Sequence, residues 1–489
     1  MIAAQTKQQS RVQYYPAILV LRVVLNGTGC SLATFLIAPS ANKTCLYLGL
    51  TSISAHPTLS LFMKVLVIGG GGREHALVWK LEQSARVSRI YCAPGNGGIC
   101  EHAECIPAEA KNLESLLAVA NRVRPDLTIV GPELPLQLGV VDEFARRGWP
   151  VFGPTKAAAR LETSKSFAKE FMQRHRIPTA HYAICSSGAE VKNTLSRFGT
   201  PVVVKADGLA AGKGVVLSKS KEEAAGAAIE MLSGRMVGEA GSRVVIEEYL
   251  SGDEVSFLVL SDGERVAPLV AAQDYKRVGD GDRGPNTGGM GAYSFPGLLD
   301  QQMTPWLLQH IARPVIQGMR AEGIEYRGIL YCGLMITARG PMVLEFNCRF
   351  GDPETQVVLS LLRTPLAGLL MATATATLAE QPPLDWDAGA AVVVVVAAEG
   401  YPGLPRIGDV ITGSGDPGVL HAGTRRRHDG AVVSAGGRVL SVLGAGVDLA
   451  AARKQAYERV DQVHLPGGHY RRDIGLRATR RADGPSAGA

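Results

Sequence analysis

The sequence predicts a multidomain α/β protein: an N-terminal doubly wound parallel sheet, a strand-rich central domain and a small β-rich C-terminal domain. Three observations carry this. From Met63, short apolar runs alternate with stretches of helical spacing, the pattern of a parallel sheet with crossover helices. From about residue 200, apolar runs follow one another with few helical stretches between them. Near 381–390 (QPPLDWDAGA) the composition shifts to a linker, and short β-like runs resume. For 489 residues, a prior of about 150 per domain also gives three domains.

In order, KVLVIGG reads as a strand ending in glycines and REHALVWKLEQS as a helix. RIYCAPGN is a strand and turn, NLESLLAVANRVRP a helix, DLTIVGPE a strand and GVVDEFARRGWP a helix. VFGPTKAAARLETSKSFAKEFMQRHRIP connects into a further helix. PVVVK and VVLS flank a glycine-rich loop, and RVVIEEYL, EVSFLVLSDGERVAPLV and ILYCGLMITARGPMVLEFN are strands. AAVVVVVAAEGYPG, VLHAGT and AVVSAGGRVLSVLGAG, closed by the helix DLAAARKQAYERVDQV, form the last domain. The expected divisions are 1–62 extension, 63–163 N-terminal domain, 164–380 central domain, 381–390 linker, 391–478 cap domain and 479–489 tail.

A hydrophobic content of 46% and a charged content of 20% are those of an ordinary globular protein. Glycine, at 57 residues, exceeds the usual share of roughly 7%. The glycines gather at 69–72, 208–214 and 279–291 without a period, so they mark loops that approach ligands rather than a fibrous repeat. The net charge of +6 points to no polyanionic partner. Lys7, Arg11, Arg22 and Lys43 supply four of those charges in a segment, 1–62, that contains no acid. No basic block interleaved with aromatics appears, which argues against nucleic acid. PAILVLRVVL is too short to span a membrane and carries Arg22. Residues 1–62 read as an upstream extension before a natural start at Met63. A transit peptide is the alternative, and it would move the protein from the cytoplasm to an organelle. Cys30, Cys45, Cys92, Cys100, Cys105, Cys185, Cys332 and Cys348 contain no CxxC pair, and predict a reduced intracellular protein with buried thiols.

Four motifs carry chemistry. In VLVIGGGGREHAL a strand, glycines and a helix make an anion site from free N–H groups and the helix dipole. A dinucleotide fingerprint fails there, because Glu74 stands at the third glycine position and Tyr91-Cys92-Ala93-Pro94 holds no ribose-binding acid. A phosphate of a smaller ligand near Gly71, Gly72 and Arg73, with His75 adjacent, is expected instead. KADGLAAGKGV fails the P-loop spacing, since Lys213 precedes Gly214 rather than Ser or Thr. It reads as a flap over a triphosphate, with Gly208, Gly212, Lys213 and Gly214 in the loop and Lys205 charging the phosphates. In VLEFNCRFGDPETQ, Glu345 and Asn347 at i, i+2 share one strand face. Such hard oxygen donors suit Mg²⁺ held with phosphates, and Arg349 on that face suits a carboxylate or acyl phosphate. AAQDYKRVGDGDRGPNTGGMGAYS is a polar loop of about 20 residues, a length that is usually functional. Asp274, Lys276, Asn286 and Thr287 are its candidate substrate contacts.

These motifs, with APGN, TIVGPE, FGPT, SKSFAKEF, EEYLSGDEVSF, HAGT and GGRVL, resemble the phosphoribosylamine–glycine ligase family in the same order from Met63 to Gly475. The resemblance implies a central ATP-grasp domain and ligation of glycine to 5-phosphoribosylamine through glycyl phosphate, with ATP and Mg²⁺ (or Mn²⁺), in purine biosynthesis. It implies Lys165 and Lys205 on the ATP phosphates, and Glu247, Glu248 and Leu250 at adenine. Glu254 would meet the ribose, Glu345 and Asn347 the metal, and Arg349 the acyl phosphate. The phosphoribosylamine phosphate would lie near Gly71, Gly72 and Arg73, and glycine near Asp274 and Lys276, with Arg349, Lys205 and Asp274 as the catalytic set. The partners are small molecules, in a monomer or weak homodimer. Two departures stand out: Arg283 precedes GPNTGG, and Gly333 occupies a position where some ATP-grasp enzymes have a second metal acid. The rivals are another ATP-grasp ligase or carboxylase, an NAD-dependent oxidoreductase and a non-catalytic paralogue. The GPNTGGMG loop, the failed fingerprint and the presence of Lys205, Glu345, Asn347 and Arg349 weigh against them in turn.

Overall fold

The computed structural model describes residues 62–210 and 214–482. The extension up to residue 61 (with Cys30 and Cys45), the predicted flap residues Gly212 and Lys213, and tail residues 483–489 lie outside the described residues. Apolar runs bounded by glycine or proline become strands β1 (Met63–Gly69), β2 (Val87–Pro94), β3 (Glu104–Cys105), β4 (Leu127–Val130) and β5 (Val151–Phe152). They form one parallel sheet in the order β3-β2-β1-β4-β5, as the alternation predicted. The order reverses between β1 and β4, where such sheets open a crevice at their carboxyl ends.

The central domain begins with β6 (Tyr182–Cys185), β7 (Val202–Ala206), β8 (Val215–Ser218) and β9 (Val244–Glu248), antiparallel in the order β6-β9-β7-β8. After β10 (Asp253–Asp262) and β11 (Val266–Pro268) come four short strands: β12 (Gln273–Asp274), β13 (Arg277–Gly279), β14 (Arg283–Asn286) and β15 (Gly291–Ser294). Then β16 (Arg327–Thr337) and β17 (Gly340–Asn347) complete a second antiparallel sheet, β11-β10-β16-β17. The last domain holds β18 (Ala390–Ala397), β19 (Val419–His421), β20 (Thr424–Arg426), β21 (Val432–Ser434) and β22 (Arg438–Gly446).

Two expectations are corrected here. The segment 273–294 is not an irregular loop. Strands β13 and β14 pair as a hairpin, while β12 and β15 join the C-terminal sheet in the order β12-β15-β18-β22-β19. The backbone groups of so long a polar segment need partners, and the edge of β18 supplies them. Strand β18 is buried throughout, and its alternate residues feed two cores: Ala391 and Val393 one, Val392, Val394 and Val396 the other. The second correction concerns thiols. Cys100 and Cys105 are joined in a disulfide, whereas Cys92, Cys185, Cys332 and Cys348 are free and buried as expected. Among the described residues, no helix is long and apolar enough to cross a membrane.

Candidate active site

A cavity of about 720 Å³ is lined from both central sheets, by Val203 and Lys205 of β7, Glu247 of β9 and Glu345 and Asn347 of β17. Lys165 enters from the first turn of the helix Lys165–Arg174. That helix starts where it does because the Ser164 side chain accepts from Phe167 N. Asp207, which the motif reading passed over, ties this helix to the root of the flap. Its Oδ1 accepts from Ser166 N at 2.7 Å and from Ser164 Oγ at 3.1 Å, and Arg243 pairs with Oδ2 at 2.9 Å. Lys165 Nζ donates to Gly208 O at 3.2 Å. Gly208 must be glycine, since a Cβ there would stand 2.9 Å from Ala240 Cα. Burial and the neighbouring Lys205 hold the Lys165 ammonium below its ordinary pKa, against the pull of Glu345.

Lys205 Nζ donates to Leu344 O at 3.1 Å and lies 3.1 Å from Glu247 Oε1. The other Glu247 oxygen is 3.0 Å from Lys169 Nζ, a buried ammonium that also donates to Thr179 Oγ1 at 2.7 Å. Burial lowers the Lys169 pKa to about 8. Glu247 Oε1 is near Lys205 but has no aligned hydrogen bond, which leaves one buried acceptor lobe unused. The Glu248 side chain instead accepts from His181 N and Arg339 Nη2, both at 2.9 Å.

Across the cavity, burial alone would raise the Glu345 pKa, but Lys276, Lys205, Lys165 and Arg349 outweigh it and hold the carboxylate below its usual value. Gly333 lies directly opposite Glu345 in the β16–β17 pair, and a Cβ there would be 3.2 Å from Glu345 Cγ. Arg349 Nη2 donates to Asn347 Oδ1 at 3.2 Å and pairs with Glu162 Oε1 at 2.9 Å. The Arg349 Nε is buried, makes no hydrogen bond and lies 3.7 Å from Glu133 Oε2. Glu162 also accepts from Cys348 N at 2.7 Å, so this acid, 186 residues before that amide, holds the chain just past the end of β17. Lys276 pairs with Glu254. Burial drives the Asp274 pKa well up, and Glu354, Glu254 and Glu345 add to this against Lys276. Glu354 in turn accepts from Tyr331 OH at 2.9 Å and Ser256 Oγ at 3.2 Å.

The predicted residues Lys165, Lys205, Gly214, Glu247, Glu248, Leu250, Glu254, Asp274, Lys276, Asn286, Thr287, Glu345, Asn347 and Arg349 all border this one cavity. Gly71, Gly72 and Arg73 are not among its lining residues, and several of their donors are engaged within the protein. Gly71 N donates to Glu74 Oε2 at 2.6 Å, and Arg73 Nε meets Glu74 Oε1 at 2.5 Å. Arg73 N reaches Asp352 Oδ2 at 3.4 Å, and its Nη1 donates to Phe350 O at 3.1 Å. The glycines make room for that carboxylate: a Cβ at Gly131 would be 2.1 Å from Glu74 Oε1, and one at Gly69 would be 2.6 Å from its Cδ. His75 accepts from His421 N at 2.7 Å, and Asn96 bridges Gly70 O and His421 O. APGN and HAGT thus join the first and last domains.

Sequence missed Glu162, Lys169, Asp207 and Glu354. For Lys169, Asp207 and Glu354 the signal was present, since each lies inside a motif already singled out.

Family models described as phosphoribosylglycinamide synthetase N domain, ATP-grasp (A) domain and C domain match residues 63–162, 163–355 and 391–477. The chain is 51% identical over 424 residues to a phosphoribosylamine–glycine ligase of Streptomyces coelicolor, covering 85% of this chain and 99% of that protein. A ligase of the same name from Ralstonia nicotianae is 50% identical, over 86% of this chain and 100% of its own. The crystal structure of the Thermotoga maritima phosphoribosylamine–glycine ligase superposes with a TM-score of 0.75 at 35% identity, over 84% of this chain and 100% of that one. A biotin carboxylase from Campylobacter jejuni shares the fold alone, at TM-score 0.64 and 16% identity, over 86% of this chain and 96% of that one.

Proposed function

This chain belongs to the phosphoribosylglycinamide synthetase family, and from that premise we propose how its cavity carries out ATP-dependent ligation of glycine to 5-phosphoribosylamine in purine biosynthesis. A carboxylate is a poor acyl electrophile. The γ-phosphoryl group of ATP therefore passes to a glycine carboxylate oxygen, releasing ADP and leaving glycyl phosphate. The amine nitrogen of 5-phosphoribosylamine then attacks the carbonyl, loses a proton, and expels phosphate to give glycinamide ribonucleotide. Such transfers need positioning and charge neutralisation more than covalent help.

The observation that carries the assignment is the crowding of Lys165, Lys205, Lys276 and Arg349 around Glu345 in one cavity. Lys165 and Lys205 meet the ATP phosphates. The unused Glu247 lobe and the apolar Leu250, with Met172 and Val203 lining the same cavity, receive adenine, and Glu254 its ribose. Arg349, whose Nε makes no hydrogen bond, steadies the acyl phosphate, and Asp274 and Lys276 hold glycine. Glu345 and Asn347 offer two hard oxygens. Among the described residues no cluster of three or more metal-type side chains exists, so Mg²⁺ or Mn²⁺ would complete its shell from phosphate and water. When bound, that ion neutralises charge on the phosphates. The phosphate of 5-phosphoribosylamine is not assigned to Gly71 N, which Glu74 already occupies.

Glycine labelled with heavy oxygen in its carboxylate tests the route. One label per turnover should appear in the released phosphate. Unlabelled phosphate would eliminate glycyl phosphate.

A further inference from the structure

The substrate loop is held from outside its own domain. Its hairpin β13–β14 turns through Gly281 and Asp282 at φ +67° and +57°, and C-terminal residues 471–477 grip that turn. The Arg471 side chain is 0% exposed. Its Nε and Nη2 chelate the Asp473 carboxylate at 2.8 and 2.7 Å, while Nη1 donates to Asp282 Oδ1 at 2.9 Å and Arg277 O at 3.0 Å. The guanidinium lies over the Tyr275 ring, 4.6 Å from its centroid. The neighbours repeat the pattern. Asp473 Oδ2 accepts from Gly281 N at 2.9 Å, Arg472 N donates to Asp280 Oδ1 at 2.8 Å, Gly475 N donates to Tyr275 OH at 3.0 Å, and Arg477 pairs with Asp282 at 2.8 Å.

A buried guanidinium is tolerable only when its donors are satisfied, and leaving one half-paired is costly. Asp473 satisfies one edge within the C-terminal domain, but the other edge is satisfied only when the hairpin is in place. The loop's position is therefore coupled to burial of a charge. That loop carries Asp274 and Lys276 into the cavity, with Asp282 and Arg477 also on its lining. Of the groups assigned to ATP, those on the helix Lys165–Arg174 and on β7 and β9 make no contact with residues 471–477, and Glu254 of β10 meets the loop only through Lys276.

We propose that residues 471–477 position the substrate loop, with Arg471 as anchor, and so set the enzyme's affinity for its amino-acid substrate. This rests on the reading that Asp274 and Lys276 meet glycine. Arg471 contacts no substrate itself.

The test is steady-state kinetics of the full chain with Mg-ATP and 5-phosphoribosylamine saturating and glycine varied, then with ATP varied. Asp282→Gly removes the hairpin's carboxylate, suits the local φ, and leaves the Arg471–Asp473 chelate intact. It should raise the glycine KM about tenfold with the ATP KM within about twofold, and lower the melting temperature because Arg471 Nη1 loses its carboxylate. Arg471→Lys should shift the same parameter, because an ammonium cannot chelate Asp473 while reaching Asp282. An Asp282→Gly enzyme with an unaltered glycine KM, or with both KM values raised together, overturns the clamp. A wild-type enzyme whose ADP release does not depend on glycine overturns the reading of Asp274 and Lys276 first, and the clamp with it.

Discussion

Two regions of this molecule carry glycines, a buried arginine and a buried glutamate at the head of a helix or the end of a strand, yet they behave oppositely. At the carboxyl ends of β1 and β4, Glu74 is inserted between Gly69 and Gly131 and takes up Gly71 N and Arg73. There the acid and the arginine pair with each other. In the central cavity, Lys165, Lys205, Lys276 and Arg349 converge on Glu345, and Glu247 Oε1 and Arg349 Nε keep unused hydrogen-bonding capacity. A glycine-rich strand-to-helix turn makes donors available. Whether they reach a ligand depends on whether a side chain of the same protein arrives first.

The contrast can be broken by mutation. Glu345→Ala removes the charge on which the cavity's cations converge and should lower kcat by about a thousandfold in a protein that melts as wild type does. Near-normal turnover at saturating Mg²⁺ would sink the assignment. Lys205→Met should cost about a hundredfold in kcat/KM, mostly through ATP, because in the proposed site Lys165 remains to meet the phosphates. Glu74→Gln should act on the fold instead. With Arg73 left buried and half-paired, unfolding free energy should fall by about 3 kcal/mol while kcat per folded molecule stays within about twofold. If Glu74→Gln behaves like Glu345→Ala, the two regions are not different in kind.

The smallest effect sharpens the same comparison. Burial, with His421 and His102 nearby, lowers the His75 pKa to about 3. The unfolded chain, titrating near 6.5, therefore binds the proton between pH 6.5 and 3 while the folded protein does not. The neutral His75 thus supports the fold above pH 6.5, and that support is lost as pH falls, by about 1.4 kcal/mol per unit. Thermal melts from pH 7 to 5 should show a shallower decline in His75→Gln than in wild type; parallel declines would remove His75 as the cause.

How much of this was legible follows from distance along the chain. Glu345 and Asn347 are two residues apart on one strand, so their shared face needs only period-two geometry, and Lys205 ends a strand beside its own flap. The parallel sheet was legible because β1, β2 and β4 alternate with helices in sequence. Glu162 was not, because the amide it fixes, Cys348 N, is 186 residues away. Strand β15 was unreadable for the same reason: its partner edge, Ala391–Val394, is about a hundred residues downstream and nothing in its composition announces it. The surroundings of Gly71 and Arg73 were misread for a different reason. The donors were correctly identified, but Glu74 was counted as a broken dinucleotide fingerprint rather than as their acceptor.

The central claim is that this cavity joins glycine to 5-phosphoribosylamine. It is tested most directly by ADP release from the full chain with Mg-ATP, glycine and 5-phosphoribosylamine, each omitted in turn. The account predicts that ADP forms only when both glycine and the amine are present, with glycinamide ribonucleotide as product. ADP formed with neither, or with bicarbonate in place of glycine, would contradict it.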